Sequence, residues 1–534
     1  MQIVSENWKN AHEQTLLNES FVEVSLDITD PDALADASPT DNGAIYISNS
    51  GELIGGVDSP PSPYCTLEQN LWCLDGNRRA LQPRATVGNG YVSDVLSDGT
   101  CLFSGRQPII TFNFDEIHTK IIPGVTITWS NTYGECADTF EVLAYCDDTL
   151  LASKEIVGNR SLKNIVFVDM ADYNRIDVVI KKWCLPYRRA RVEKVFIGLN
   201  KVFGKADLFG YSHKQSVDPL STSLPKTEIQ FSISNADGEY NPYNLEGLAK
   251  YITERQEVKT RYGLKMDDGS VEWIQGGTFY LSEWYAKQNG LTADFTARDM
   301  LEFMSATYYD TREIITQRSL SYLATVILRA ANLPLNDDGT ERWQIDESLE
   351  SIYTTAQLPE DTLANCLQLI ANAGECVLYQ DREGILHIEP LKFEESDYKI
   401  DSFNSYSRPE LTLSKPLKQI NVKVYTYTKG DKGFESETTE VTKVIGTVGE
   451  TISIDNPLVT DTDRANSLAN WLAAHLGHRK TLDVSWRGDV SLDALDIVSN
   501  ENDYNSNRVR MTDVEFKYNG AFRATGKGKV ISDG

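Results

Sequence analysis

The sequence predicts a mainly β, multidomain chain with one small α+β insert. Three observations predict it. Alternating apolar and polar runs recur along most of the chain, bounded by Gly, Asn and Asp turns. Sizeable helical periodicity is confined to residues 319–333, 361–373 and 462–477. A chain of 534 residues is too long for a single core and calls for roughly three to five domains.

Residues 1–20 read as an N-terminal arm. They hold a polar helix over 8–17, thin in apolar residues, that packs on a neighbour or stays mobile. A strand follows with Phe21, Val22, Val24, Leu26 and Ile28. Residues 30–63 are rich in Asp, Ser, Gly and Pro, the composition of surface turns. Residues 64–200 carry regular short strands over 109–114, 125–129, 140–145, 164–169, 175–181 and 192–199, a spacing that suggests a sandwich.

Residues 226–234 alternate and end in Ser234-Asn235-Ala236-Asp237-Gly238-Glu239-Tyr240-Asn241-Pro242. Asn and Asp favour Asx-turns, Gly accepts positive φ, and Pro ends the strand. Calcium loops share these residue types, but the ligand spacing and closing Glu are missing. Strands over 256–264, 271–284 and 291–299 complete a small barrel with aromatic cross-strand pairs.

Residues 311–395 change class. The helix 319–333 turns Leu320, Leu323, Val326, Ile327 and Ala330 inward and stops before Pro334. The helix 361–373 turns Leu363, Cys366, Leu367 and Ile370 inward and stops at Gly374. A hairpin over 376–389 turns at Arg382-Glu383. Beyond it, 420–427 alternates strictly, and 438–444 and 451–455 are expected to pair with each other. This is a long polar hairpin of the kind that reaches a neighbouring subunit.

The last part opens with Thr462-Asp463-Arg464-Ala465, a helix start. The apolar face Ala465, Leu468, Ala469, Leu472 and Leu476 follows, closed by Gly477. Leu482, Val484 and Trp486 alternate in a strand, Gly488-Asp489 turns, and 495–498 returns. Residues 509–527 form two strands joined at Asn519-Gly520, a strong hairpin signal. One helix feeding a small antiparallel barrel is the expectation.

Composition narrows the function. The net charge of −27 argues against gripping nucleic acid through its phosphates. It suits an assembly part, or a channel wall that DNA passes without sticking. Acidity that only keeps the chain soluble accounts for it equally well. Eight Cys, at 65, 73, 101, 136, 146, 184, 366 and 376, show no CxxC spacing, hence no zinc ribbon or thioredoxin motif. Six precede residue 185, which leaves disulfides in one domain or buried free thiols. No secretory signal opens the chain, and no stretch approaches the roughly 20 apolar residues that cross a bilayer.

No catalytic constellation stands out. The six His lack a His-Glu-x-x-His helix, and His475 and His478 have no third ligand nearby. There is no nucleophile elbow and no P-loop. With 78 Asp and Glu, a pair of glycosidase acids could be drawn anywhere and signals nothing. No enzyme activity, cofactor or metal is expected.

Several motifs resemble those of a known family. Trp486-Arg487-Gly488, Asp496-Ile497-Val498 and Phe516-Lys517-Tyr518-Asn519-Gly520-Ala521-Phe522 resemble, in that order, the C-terminal end of baseplate-hub (tail-associated, tail-tip) proteins of tailed bacteriophages and phage-tail-like particles. The turn 234–242 resembles the start of their hub region. So do Gly277-Thr278-Phe279-Tyr280-Leu281 with Trp284, and Phe295, Ala297, Asp299 and Leu301. Separately, Thr66-Leu67-Glu68, Asn70, Trp72 and Leu74-Asp75-Gly76 resemble the start of a galactose-binding-like (discoidin-type) jelly roll.

The resemblance implies a jelly-roll sandwich followed by hub β-barrel domains. Its domains are the arm 1–20, a jelly roll 21–204, a hub β-barrel domain 205–310, the α+β insert 311–395, and a second hub β-domain 396–534 carrying the helix 462–477. It implies a structural role in the virion tail tip or baseplate, made in the host bacterial cytoplasm. Three copies would form a ring joining the tail tube to the spike, with a channel for DNA. Partners would be further copies, distal tail and tail-tube proteins, the tape measure and tip proteins. Hub proteins that hydrolyse cell wall carry a C-terminal extension, which a chain stopping at Gly534 would lack.

The alternative is an adhesin whose jelly roll binds host-surface glycan. Trp129, Tyr133, Trp183 and Tyr187 are its candidate contacts, because sugars stack on aromatics. The competing reading makes them core or interface aromatics. Lys181, Lys182, Arg188, Arg189 and Arg191 are candidate assembly contacts that could grip an acidic neighbour or form a solvated face.

Overall fold

Val22, Val24, Leu26 and Ile28 are buried along one face of strand β1 (Ser20–Thr29), as the alternation predicts. The computed structural model describes residues 1–14, 18–55, 64–72, 79–80, 89–244, 247–287, 290–308, 317–336, 340–393, 395–430, 433–501 and 506–533. Mainly strands, in several sheets and with distinct cores, they form a mainly β, multidomain protein.

After β1 come β2 (Ser38–Asp41), β3 (Tyr91–Leu96), β4 (Ile109–His118), β5 (Ile122–Trp129), β6 (Ala137–Cys146), β7 (Thr149–Val157), β8 (Lys163–Met170), β9 (Tyr173–Trp183) and β10 (Arg189–Phe203). They make two layers. One runs β2-β4-β9-β6-β7; the other runs β8-β5-β10, with β3 also on β10. Phe112, Phe140, Ile176, Ile127, Val192 and Ile197 fill the core between them. The sequence missed β7, because it is an exposed edge strand whose apolar residues do not alternate with polar ones. The expected loop 30–63 is partly ordered, with helical turns Pro31–Asp36 and Glu52–Gly55; residues 56–63 lie outside the described residues.

Next are β11 (Leu208–Ser216), β12 (Lys226–Ser234), β13 (Glu257–Lys265), β14 (Val271–Ala286) and β15 (Thr292–Arg298). The insert supplies helices Leu320–Ala330 and Leu363–Ala373 and the hairpin of β16 (Cys376–Gln380) and β17 (Leu386–Pro390). Then follow β18 (Glu395–Ile400), β19 (Glu410–Leu413), β20 (Leu417–Gly430), β21 (Gly433–Val444), β22 (Glu450–Ile454), the helix Thr462–Leu476, β23 (Lys480–Trp486), β24 (Ile497–Glu501), β25 (Ser506–Tyr518) and β26 (Phe522–Asp533).

One 16-stranded sheet ties the chain together in the order β8-β5-β10-β1-β13-β14-β15-β12-β11-β25-β26-β23-β19, with β24 beside β25 and β18 beside β24. The two hub β-domains therefore do not close as separate barrels. β11 pairs with β25, His213 opposite Phe516, and side chains of both halves share one core. Asn519-Gly520 turns β25 into β26 as expected, with Gly520 at φ +84.

β1 also departs from expectation. It lies between β13 and the second half of β10, pairing Thr29 with Gly198 and Val24 with both Phe203 and Thr260. Its apolar face joins the core of the large sheet, not the sandwich core. Gly198 sits at this crossover with φ +134, where a Cβ would lie 2.5 Å from the Ile28 carbonyl oxygen, so only glycine fits.

A second core holds Leu323, Ile327, Leu367, Ile370, Ile420, Val422, Leu468 and Leu472. The helix Thr462–Leu476 thus packs on β20 and the insert rather than feeding the barrel. β21 and β22 do not pair with each other; each lines one side of β20, antiparallel and parallel respectively. The N-terminal helix spans Glu6–His12, and residues 15–17 lie outside the described residues. It is docked on its own chain: Trp8 is buried and donates from Nε1 to Asp489 (3.3 Å), and the Gln2 amide donates to Asp493 (2.9 Å).

Candidate functional site

The ends of β5 and β9, the loop after β5 and the turn into β10 bring the sequence-predicted side chains to one end of the sandwich. Trp129 and Trp183 are fully buried there and meet edge to face at 6.0 Å. Their indole N–H groups donate to Asn164 (2.5 Å) and Glu135 (2.8 Å). Neither offers a face to a sugar. Tyr133 is half-buried: its hydroxyl accepts from the Tyr64 N–H at 2.8 Å, and the Arg191 guanidinium lies 4.3 Å from its ring centre. Tyr187 alone of the four is half exposed, on a turn with φ +57.

The basic cluster is not a free patch. Arg191 is buried and donates through both terminal nitrogens to Glu68, one bond being 2.9 Å. Arg188, also buried, lies 3.4 Å from Glu135, and Arg191 lies 3.9 Å from the same carboxylate. Arg189 donates its backbone N–H to Glu68 (2.9 Å) and its side chain to the Ser93 carbonyl (3.0 Å). Lys181 pairs with Glu141 (2.6 Å) and Glu155 (2.9 Å), and Lys182 with Asp138 (3.3 Å).

Two arginines and two glutamates therefore neutralise each other beneath the loops. Burial alone would raise the Glu68 carboxyl; the hydrogen bonds and charge of Arg191, helped by the Arg189 N–H, hold it below its ordinary range. Burial pushes the Glu135 carboxyl up, and Trp183 and the two guanidinium groups only partly oppose it. Glu68 belongs to the motif that suggested the jelly roll. In the fold it anchors that segment to β10; residues 73–78 of the motif lie outside the described residues.

A second polar site lies inside the core of the large sheet, unmarked by any sequence motif. Arg382, in the turn between β16 and β17, is fully buried. It donates from Nε to Asp493 (2.7 Å) and from its terminal nitrogens to the carbonyls of Gln275 (2.8 Å), Val490 (2.7 Å) and Leu492 (3.0 Å). Burial would raise Asp493, but Arg382, the N-terminal ammonium and the Gln2 amide together hold the carboxyl low. Beside it, His213 Nδ1 and the Tyr262 hydroxyl share a hydrogen bond at 2.8 Å, and Tyr262 shares another with Tyr211 at 2.7 Å. The arrangement ties insert, hub sheet and C-terminal loop together. Arginine in a hairpin turn is ordinary, and its carboxylate partner is 111 positions away, so no local signal could reveal it.

Among the described residues no group of three His, Cys, Asp or Glu could hold a metal ion, and no helix is long and apolar enough to cross a membrane. His475 is half-buried beside Trp471 at the end of its helix; burial first, then Arg510 and His478, lower its pKa.

No protein-family model and no curated protein matches the chain. Among solved structures, it is similar to the 43 kDa tail protein of prophage MuSo2 from Shewanella oneidensis, with 13% identity and a TM-score of 0.43 over 62% of this chain and 96% of that one. It is similar to the tail protein from Neisseria meningitidis MC58, with 12% identity and a TM-score of 0.44 over 62% and 94%. Prophage tail protein gp18 from Listeria monocytogenes EGD-e has 11% identity and a TM-score of 0.39 over 63% and 93%.

Proposed function

We propose that this chain is a structural subunit of a bacteriophage or phage-like tail tip, three copies of which form a hub ring around a channel. The observation that carries the proposal is the placement of the hub-like motifs. The 277–284 and 295–301 segments fall on or beside β14 and β15, and the Trp486 and Phe516 segments on β23 and β25. Each segment contributes side chains to one shared core, while Tyr280 and Leu301 belong to the second. Each motif builds sheet and none builds a reaction centre, which suits an assembly part. Closing a ring requires each copy to carry mutually complementary lateral surfaces. The acidic balance of −27 suits a lumen that DNA traverses without binding. Partners are further copies, tail-tube, tape-measure and tip proteins. The site of action is the virion, after synthesis in the bacterial cytoplasm.

Light scattering across concentration, with top-view electron microscopy of the same sample, tests this. Three copies around an open centre are expected; a monomer that persists with its tail partners present overturns the ring. A glycan-binding role would have to use Tyr187 and neighbouring loops, because Trp129 and Trp183 are enclosed. Glycan-array binding by the full chain, lost in Tyr187→Ala, would favour that second role.

A further inference from the structure

We propose that Cys136 and Cys184 are a disulfide-forming pair that closes the loop end of the sandwich on oxidation. β9 and β6 run antiparallel with Trp183 opposite Ala137, so the next step of the register sets Cys184 opposite Cys136. The Cys184 N–H donates to the Cys136 carbonyl at 3.0 Å, and the Cys136 N–H donates to Cys184 Sγ at 3.4 Å. Directly opposed residues of an antiparallel pair have Cα atoms about 4.5–5.5 Å apart, inside the range a disulfide spans.

Both residues are free thiols in this structure. Burial pushes Cys136 up to about 11, with the neighbouring Cys184 thiol adding to it, and burial also raises Cys184. They are slow thiols rather than nucleophiles held ready for catalysis. Among the described residues, Cys101 is a competitor that lies beside the end of β9. Its carbonyl accepts from the Trp183 N–H at 2.9 Å, which places it across from Trp183 and not from Cys184.

The oxidant is a low-molecular-weight disulfide such as oxidised glutathione. The half-buried Cys184 loses its proton and attacks one glutathione sulfur, expelling a glutathione thiolate. The Cys136 thiolate then attacks Cys184 Sγ, and the second glutathione leaves. One protein disulfide forms, one small disulfide is reduced, and the two protons end on the released thiols. The bond would hold the turn carrying Glu135 against the end of β9, next to the buried Glu68–Arg191 pair. Only the place of oxidation, outside the reducing cytosol, rests on the tail-tip reading. The chemistry is independent of it.

The test uses the full chain, incubated with oxidised glutathione, then unfolded, alkylated and peptide-mapped. Cys136 and Cys184 are expected in one cross-linked peptide pair, lighter by two hydrogens, while Cys101 remains alkylated. The 48-position separation predicts a thermal midpoint about 5–10 °C higher than in the reduced chain. Cys184→Ser should fold, leave Cys136 alkylatable and abolish the rise. Full alkylation of both after oxidation, or Cys101 joined to either, overturns the proposal. Failure here leaves ring assembly, measured by particle mass, unaffected.

Discussion

Arg382 carries a full charge into the middle of the hub, and every donor it uses there has an acceptor. Removing the guanidinium leaves Asp493 buried without its main counter-charge and frees three carbonyls. Arg382→Met is expected to cost about 3–5 kcal/mol in denaturant unfolding, the range for breaking a buried pair from one side. The pair should be coupled: Arg382→Met with Asp493→Asn should cost clearly less than the two single changes added together. Additive losses would mean the contact is incidental. His213, next door, sets a pH dependence. Burial, with Arg382 adding to it, lowers its pKa to about 3, against an ordinary 6.5. The folded state therefore keeps it neutral while the unfolded state takes a proton. Its contribution is unaffected above the ordinary value and lost as pH falls from about 6.5 towards 3, by about 1.4 kcal/mol per pH unit. His213→Gln does not titrate and should flatten the stability-versus-pH curve over that window. An unchanged slope between pH 6 and 4 would count against a buried neutral imidazole.

Secondary elements were legible where a single stretch carries its own pattern. The helix starts read at Ser319, Asp361 and Thr462 hold to within a residue of the caps: Ser319 accepts from Tyr322 N–H, Thr362 from Asn365 N–H, and Asp461 from Asp463 and Arg464 N–H. The inward face of the second helix, Leu363, Cys366, Leu367 and Ile370, is buried as read. In the first helix the buried face is Leu320, Leu323, Ala324, Ile327 and Leu328, one step round from the face read through Val326 and Ala330. Alanine and leucine flank both faces, so composition alone cannot choose. What an element packs against was not legible. β20 alternates strictly, yet nothing local says that β21 and β22 take opposite edges of it, or that Thr462–Leu476 lies on its face. The enclosure of Trp129, Trp183 and the arginines was not legible for the same reason. Trp183, Arg188 and Arg191 look exposed in a run of charge until Glu68 and Glu135 arrive from distant segments.

At the scale of the whole molecule, the sandwich is an insertion in a hairpin of the large sheet rather than a leading domain. β1 and the second half of β10 are antiparallel neighbours, and their ends meet at Thr29 and Gly198. Most of the described residues between them, within 30–197, belong to the sandwich layers and their own core, which stops at Ile197. Leu199 and Phe203 already face the core of the large sheet. Deleting residues 30–197 and joining Thr29 to Gly198 through Asn-Gly should therefore leave a hairpin with its register intact, because that two-residue turn matches strand twist. Loop-closure cost falls when a long connection becomes a short one, so the hub should not lose stability on that account. The shortened chain is expected to unfold in a single cooperative step, with the strand signature retained in circular dichroism. If the ring is a property of the hub, its particle mass should still be three shortened copies. A chain that aggregates or loses its strands would show that β1 needs the sandwich to hold its place. A folded monomer would move the ring contacts onto the sandwich.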